Sequence, residues 1–316
     1  MKIVVLEPLE IPEKDIRSIA KKTVNGEHEL ILYNDKTADV EVLKDRVKDA
    51  NVLVIANMLL KGEVINSAEK LKMISIAFTG VDHVDLKVCR EKNILVSNAA
   101  GYSTNSVAEL AFGLIISLLR NIVVLDEVTR NGGTKDGYGQ NDLYGKTLGV
   151  IGTGAIGKKV AEIGLAFGCH VIAFNRSENK DLISKGVKYV DLEDIFKESD
   201  IVTIHLPLTD STRGIVNNDR LNLMKKNSIL INTARGPLVD NEALANILHE
   251  GKISGAGIDV FDMEPPLPFE YSLLKENRVI LTPHIGFATE EAMIRRAKIV
   301  FENISGWIEG NPQNVI

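Results

Sequence analysis

The chain predicts an α/β fold of parallel sheets doubly wound by helices, arranged in two domains. Three observations carry this reading. Residues 148–157, Leu-Gly-Val-Ile-Gly-Thr-Gly-Ala-Ile-Gly, run from a buried-strand pattern into three glycines spaced G-x-G-x-x-G. The first hundred residues alternate short apolar runs with helix-period stretches, which is the signature of a parallel sheet covered by helices. The alternation restarts at Thr147 and supplies six strand candidates, the number a full doubly wound dinucleotide domain needs. At 316 residues the chain is long for one core and suits two domains.

In chain order, Lys2–Leu6, Glu29–Tyr33, Val52–Ala56, Met73–Ala77 and Leu95–Val96 read as strands. Glu13–Lys22, Val40–Lys48, Val64–Ser67 and Leu86–Lys92 read as the helices between them. Ser106–Arg120 is one long, mostly apolar helix that needs cover on most sides, as a core helix bridging the domains or as a helix at a subunit interface. Asn131–Gly145 holds five glycines and little apolar content, so it is a loop or an arm. The second series of strands is Gly149–Ile151, Val171–Phe174, Ile201–His205, Ser228–Asn232, Gly255–Asp259 and Val279–Thr282. Thr289–Gly310 closes the chain as an amphipathic helix with Ile294, Ala297, Ile299, Val300, Phe301, Ile304 and Ile308 on apolar positions.

The glycine turn makes a specific physical demand. Gly152 allows the tight exit from the strand, Gly154 lets the backbone approach a pyrophosphate, and Gly157 brings the next helix close to the sheet. Thr153, Ala155 and Ile156 complete the turn, and the helix after it points its positive end at the phosphates. A carboxylate closing the following strand would bind ribose hydroxyls and favour NAD. Here Asn175-Arg176-Ser177 stands in that place. The uncharged Asn removes repulsion toward a 2′-phosphate, and the Arg and Ser donate to it. The expectation is therefore NADP, or a relaxed preference that accepts NAD.

Composition bounds the function. A net charge of −6 argues against a general nucleic-acid or anionic-membrane surface. The N-terminal apolar stretch is too short for a signal-peptide core. The longest apolar run, Val107–Leu119, carries Glu109 and is far shorter than a membrane span. Cys89 and Cys169 are too few and scattered for a disulfide framework or a zinc cluster, and read as buried thiols of a cytoplasmic protein. No H-E-x-x-H or similar spacing suggests a metal.

Ligands of a doubly wound sheet bind beyond the carboxyl ends of its strands. Three polar residues fall there: Arg235 before Gly236-Pro237, Glu264 before Pro265-Pro266, and His284 between Pro283 and Ile285-Gly286. Singly, Arg235 reads as a surface residue, Glu264 as a solvated turn residue and His284 as a satisfied histidine beside proline. Jointly they form an acid–base set, in which Arg grips a carboxylate with two hydrogen bonds and His exchanges a proton near neutral pH. A carboxylate beside that His favours the imidazolium. His205 ends a strand and lines the cofactor or packs beneath it, and His83 lies in a loop of the first domain.

Together these motifs resemble the D-isomer-specific 2-hydroxyacid dehydrogenases along nearly the whole chain. The resemblance rests on Gly80–Asp85, Ser106–Leu110, Gly152–Gly157, His205–Thr209, Asn232–Gly236, Asp259–Phe261 with Glu264-Pro265, and Thr282–Gly286. It implies two Rossmann-like doubly wound parallel-sheet domains, the smaller one discontinuous. Residues 1–100 plus 286–316 would bind substrate, and residues 101–285 the dinucleotide. It implies a homodimer with Val107–Leu119 and Asn131–Gly145 at the interface. Arg235 would bind the substrate carboxylate and carbonyl oxygen, His284 would be the general acid, and Glu264 would hold His284. Thr79 and Gly80 would offer backbone N–H groups to the carboxylate. Pro207, Thr233, Ala234 and Asp259 join His205 on the cofactor side, Asp259 there or in support of the His–Glu pair. The substrate would be a small 2-oxo or 2-hydroxy acid, with hydroxypyruvate and glyoxylate favoured. Phosphoglycerate, D-lactate and a dinucleotide-sensing corepressor role stand as alternatives. The arginine that phosphoglycerate enzymes usually carry is missing near Asn57.

Overall fold

A computed structural model describes residues 1–316, and the chain divides into two units. Residues 1–103 and 288–316 form the first, and residues 104–287 form the second.

The first unit is built on a parallel sheet of β1 (Lys2–Val5), β2 (Glu29–Leu32), β3 (Val52–Ile55), β4 (Met73–Ile76) and β5 (Leu95–Asn98), in the order β2-β1-β3-β4-β5. Its β3 and β4 are buried along their whole length, as parallel strands covered on both faces must be. The helix Glu290–Ile308 returns late in the chain to pack against β4 and the helix Glu13–Thr23. Its register differs from the expectation at one end. Ile294 is exposed, and Arg296 and Asn303 take buried positions on the core face. Arg296 stays there because its guanidinium donates to the Leu9 carbonyl at 2.7 Å and lies beside the rings of Phe78 and Tyr102. Beyond this helix, residues 313–316 line the edge of β5, with the Ile316 N–H on the Val96 carbonyl and an antiparallel bridge between Ser97 and Val315.

The second unit holds a seven-stranded parallel sheet: β6 (Thr147–Ile151), β7 (His170–Phe174), β8 (Lys188–Tyr189), β9 (Ile201–Ile204), β10 (Ile229–Asn232), β11 (Gly255–Ile258) and β12 (Val279–Leu281). The order β12-β11-β10-β9-β6-β7-β8 reverses direction at β6, which places the glycine turn at the switch point. Six strands were expected, and the seventh is β8. Two residues at a sheet edge are too short to show a period.

The apolar helix Thr104–Leu119 proves to be a core helix of this unit. It buries Val107, Ala108, Ala111, Phe112, Leu114, Ile115 and Leu119, and packs on Ala155–Ala166, β10 and β11. Most of its cover comes from its own unit. Asn121, at φ 50°, breaks it, and a second helix, Ile122–Arg130, follows with Ile122, Val123 and Val124 exposed. Residues 131–145 form neither helix nor strand. No single helix is long and apolar enough to cross a membrane.

Candidate active site

Close packing dictates the glycine turn after β6. A Cβ on Gly152 would sit 2.6 Å from the His205 carbonyl oxygen, and the residue adopts φ +93°. A Cβ on Gly157 would lie 1.8 Å from the Gly152 carbonyl oxygen. Gly154 differs, because a Cβ there would meet nothing within 4 Å. It N-caps the helix Ala155–Ala166 with no side-chain hydrogen bond to the first turn. Open space above uncapped helical N–H groups is what a pyrophosphate requires.

Around this turn, the Tyr189 hydroxyl donates to Thr153 Oγ1 at 2.9 Å and accepts from the Asn179 N–H at 3.0 Å. Tyr189 went unread in the sequence. The signal was its setting, Val-Lys-Tyr-Val directly after Gly186, a β-branched and aromatic run at a turn. His205 sits beneath the turn with Nε2 hydrogen-bonded to the Thr203 hydroxyl at 2.8 Å. Burial pushes its pKa down to about 3 and keeps the ring neutral. Past β7, Asn175 Nδ2 donates to the Ser177 carbonyl at 2.8 Å, while Arg176 and Ser177 are exposed. Thr233, at the end of β10, has a buried hydroxyl with no hydrogen-bond partner in the protein. The space over Gly154, the uncapped helix and this orphaned hydroxyl fit a nicotinamide dinucleotide. Gly152–Gly157 would hold its pyrophosphate, and Thr233 would offer its hydroxyl to a polar group of the ligand. Pro207, whose carbonyl accepts from Thr212, and Ala234, whose N–H donates to Asn232 Oδ1, lie in the loops after β9 and β10.

The second cluster stands after β10, β11 and β12. Asn232 Nδ2 donates to the Arg235 carbonyl at 3.0 Å and fixes that turn, and Arg235 Nη1 donates to the Ala234 carbonyl at 2.7 Å. The turn presses against the loop after β11 so closely that a Cβ on Gly236 would meet Phe261 backbone atoms at 1.9 Å. Only glycine allows that approach. Glu264 and His284 meet directly: His284 Nδ1 lies 3.0 Å from Oε1 and 3.1 Å from Oε2. The His284 side chain is mostly buried, with Phe287 edge-on at 5.1 Å between ring centroids, while Glu264 is exposed.

His284 is held in a left-handed backbone conformation at φ 56°, a geometry that costs a side-chain-bearing residue about 1 kcal/mol. The surroundings over-determine it. The His284 N–H donates to the Asp259 carbonyl at 2.9 Å. The buried Asp259 carboxylate accepts from the Thr282 hydroxyl at 2.6 Å, the Ile285 N–H at 2.8 Å and the Gly286 N–H at 2.9 Å. Both Asp259 oxygens are thus spent on the loop that carries His284.

Thr79 and Gly80 belong to the first unit, directly after β4, with Thr79 exposed. In the same unit, Asn57 accepts from Lys36 Nζ at 2.9 Å and carries no charge.

Residues 112–286 match the model of the D-isomer specific 2-hydroxyacid dehydrogenase NAD binding domain. The chain is 37% identical over 322 residues to a glyoxylate reductase of Thermococcus litoralis, covering 97% of this chain and 94% of that protein. It is 38% identical over 279 residues to a hydroxypyruvate reductase of Thermotoga maritima, covering 87% and 90%. Among solved structures, an acyclic imino acid reductase in complex with NADPH and D-Arg superimposes with a TM-score of 0.90 at 31% identity, over 100% of each chain.

Proposed function

Because this chain belongs to the D-isomer specific 2-hydroxyacid dehydrogenases and is an NAD(P)-dependent oxidoreductase of 2-hydroxy acids, we propose that it reduces hydroxypyruvate or glyoxylate to the D-2-hydroxy acid. The observation that carries the mechanism is the His284–Glu264 pair at 3.0 Å. When bound, the reduced nicotinamide supplies a hydride to C2 of the 2-oxo acid. With Nδ1 on Glu264, His284 gives its proton to the substrate oxygen from Nε2. Arg235 binds the carboxylate and stabilises charge developing on that oxygen. Glu264 holds the ring in the orientation that donation needs. Thr79 and Gly80 receive the carboxylate on their backbone N–H groups.

Asn175, Arg176 and Ser177 support a preference for NADP over NAD, since no carboxylate closes β7 and a guanidinium is exposed beside it. The uncharged Asn57 supports a substrate without a phosphate. Exposed Ile122, Val123 and Val124 support a homodimer formed through that helix and the 131–145 arm. Two buried free thiols support a cytoplasmic location.

Initial rates with hydroxypyruvate and glyoxylate, followed as NADPH and NADH oxidation side by side, test this reading. We expect turnover that is faster with NADPH, and Arg176→Ala to shrink that advantage. NADH-only turnover contradicts the cofactor preference, and no turnover with either contradicts the substrate assignment.

A further inference from the structure

We propose that Asn98 is a positioning residue for substrate recognition, holding the Thr79–Gly80 peptide at the end of a buried asparagine relay. The proposal rests on the assignment of Thr79 and Gly80 to the substrate carboxylate. Asn98 Nδ2 donates to the Thr79 carbonyl at 2.8 Å. A trans peptide is planar, with its N–H opposite its C=O. Pinning the Thr79 oxygen toward Asn98 therefore aims the Gly80 N–H the other way. No hydrogen bond within the fold uses the N–H of Thr79 or Gly80, which leaves both to solvent or to a ligand.

Asn98 cannot turn aside. Its Oδ1 accepts from the Ala100 N–H at 3.2 Å, its own N–H donates to the Asn314 carbonyl at 3.0 Å, and its carbonyl accepts from Asn303 Nδ2 at 2.8 Å. Asn303, fully buried on the helix Glu290–Ile308, is fixed in turn by Asn314 Nδ2 on its Oδ1 at 2.8 Å. Asn98 and Asn303 each have both amide ends occupied, so neither flips without leaving a buried polar atom unpaired. The Phe78 carbonyl, one residue before the cradle, accepts from the Ala99 N–H at 3.0 Å, which ties the end of β4 to that of β5. The late helix and the tail thereby set the direction of one peptide more than two hundred residues earlier.

The test compares Asn98→Ala and the milder Asn303→Ala with wild type in steady-state kinetics, NADPH titration and the 15N–1H resonance of Gly80. Asn98→Ala is expected to raise KM for the 2-oxo acid about tenfold with a smaller change in kcat and unchanged NADPH affinity. Asn303→Ala is expected to raise KM about threefold, and the Gly80 resonance to move in both. A Gly80 resonance that stays in place, or a loss shared equally by KM, kcat and cofactor affinity, overturns the proposal. Wild-type protein inactive on every 2-oxo acid refutes the functional reading instead, and the Gly80 resonance then still decides whether Asn98 holds the peptide.

Discussion

After β6 the carboxyl end of the seven-stranded sheet carries three glycines in six residues and no acidic side chain; after β11 and β12 it carries a buried aspartate, a glutamate and a histidine. The glycine turn is made by leaving side chains out, so that backbone comes within contact distance of backbone and N–H groups face open space. The histidine corner is made by spending side chains. Asp259 accepts three hydrogen bonds merely to hold a strained loop, and Glu264 then holds the ring. Gripping a polyanion needs many N–H groups and room. Moving one proton needs one imidazole in one orientation. If this division is right, damage to the turn appears in cofactor affinity, and damage to the corner appears in turnover.

On the cofactor side the largest effect belongs to Gly157→Ala, whose Cβ would lie 1.8 Å from a backbone oxygen that cannot yield. We expect NADPH affinity to fall about 100-fold, together with a lower melting temperature. Fluorescence titration checks this, and an unchanged Kd breaks the comparison on its cofactor side. A smaller effect is expected for Asp259→Asn, which sets an NH2 against N–H or O–H donors it formerly accepted. Turnover should fall about tenfold while Kd for NADPH stays within about twofold. Equal losses in both would mean that the corner and the cofactor region are one structure.

The smallest effect is a pH dependence. His205 is neutral in the folded protein down to about pH 3, whereas an unfolded His takes its proton near 6.5. Below 6.5 the unfolded state binds the extra proton, so this contribution to stability is full above pH 6.5 and is lost as pH falls from there toward 3. His205→Gln should therefore lose less melting temperature between pH 7 and pH 4 than wild type. Equal losses would show that His205 titrates normally beneath the glycine turn.

The same contrast explains what was legible in the sequence. The glycine turn reads directly because its requirements are local: a tight exit, a close approach and a helix start within six residues. Parallel strands such as β3 read as continuous apolar runs because both faces are buried. The edge strand β8 and the helix Ile122–Arg130 did not read, the first for want of length and the second because Asn121 breaks an otherwise continuous pattern. On the last helix, Ile294 was placed by apolarity alone. The core face there holds Arg296 and Asn303, whose burial depends on the Leu9 and Asn98 carbonyls far away in the chain. The contacts of Asp259 were hidden likewise, since its partners Thr282, Ile285 and Gly286 lie in the loop after β12.

The most direct test of the division between turn and corner is His284→Ala, assayed for hydroxypyruvate reduction and for NADPH binding in the same preparation. The expected result is a fall in kcat of about 100- to 10,000-fold with cofactor affinity unchanged. Near-wild-type turnover, or cofactor affinity lost in step with turnover, would contradict it.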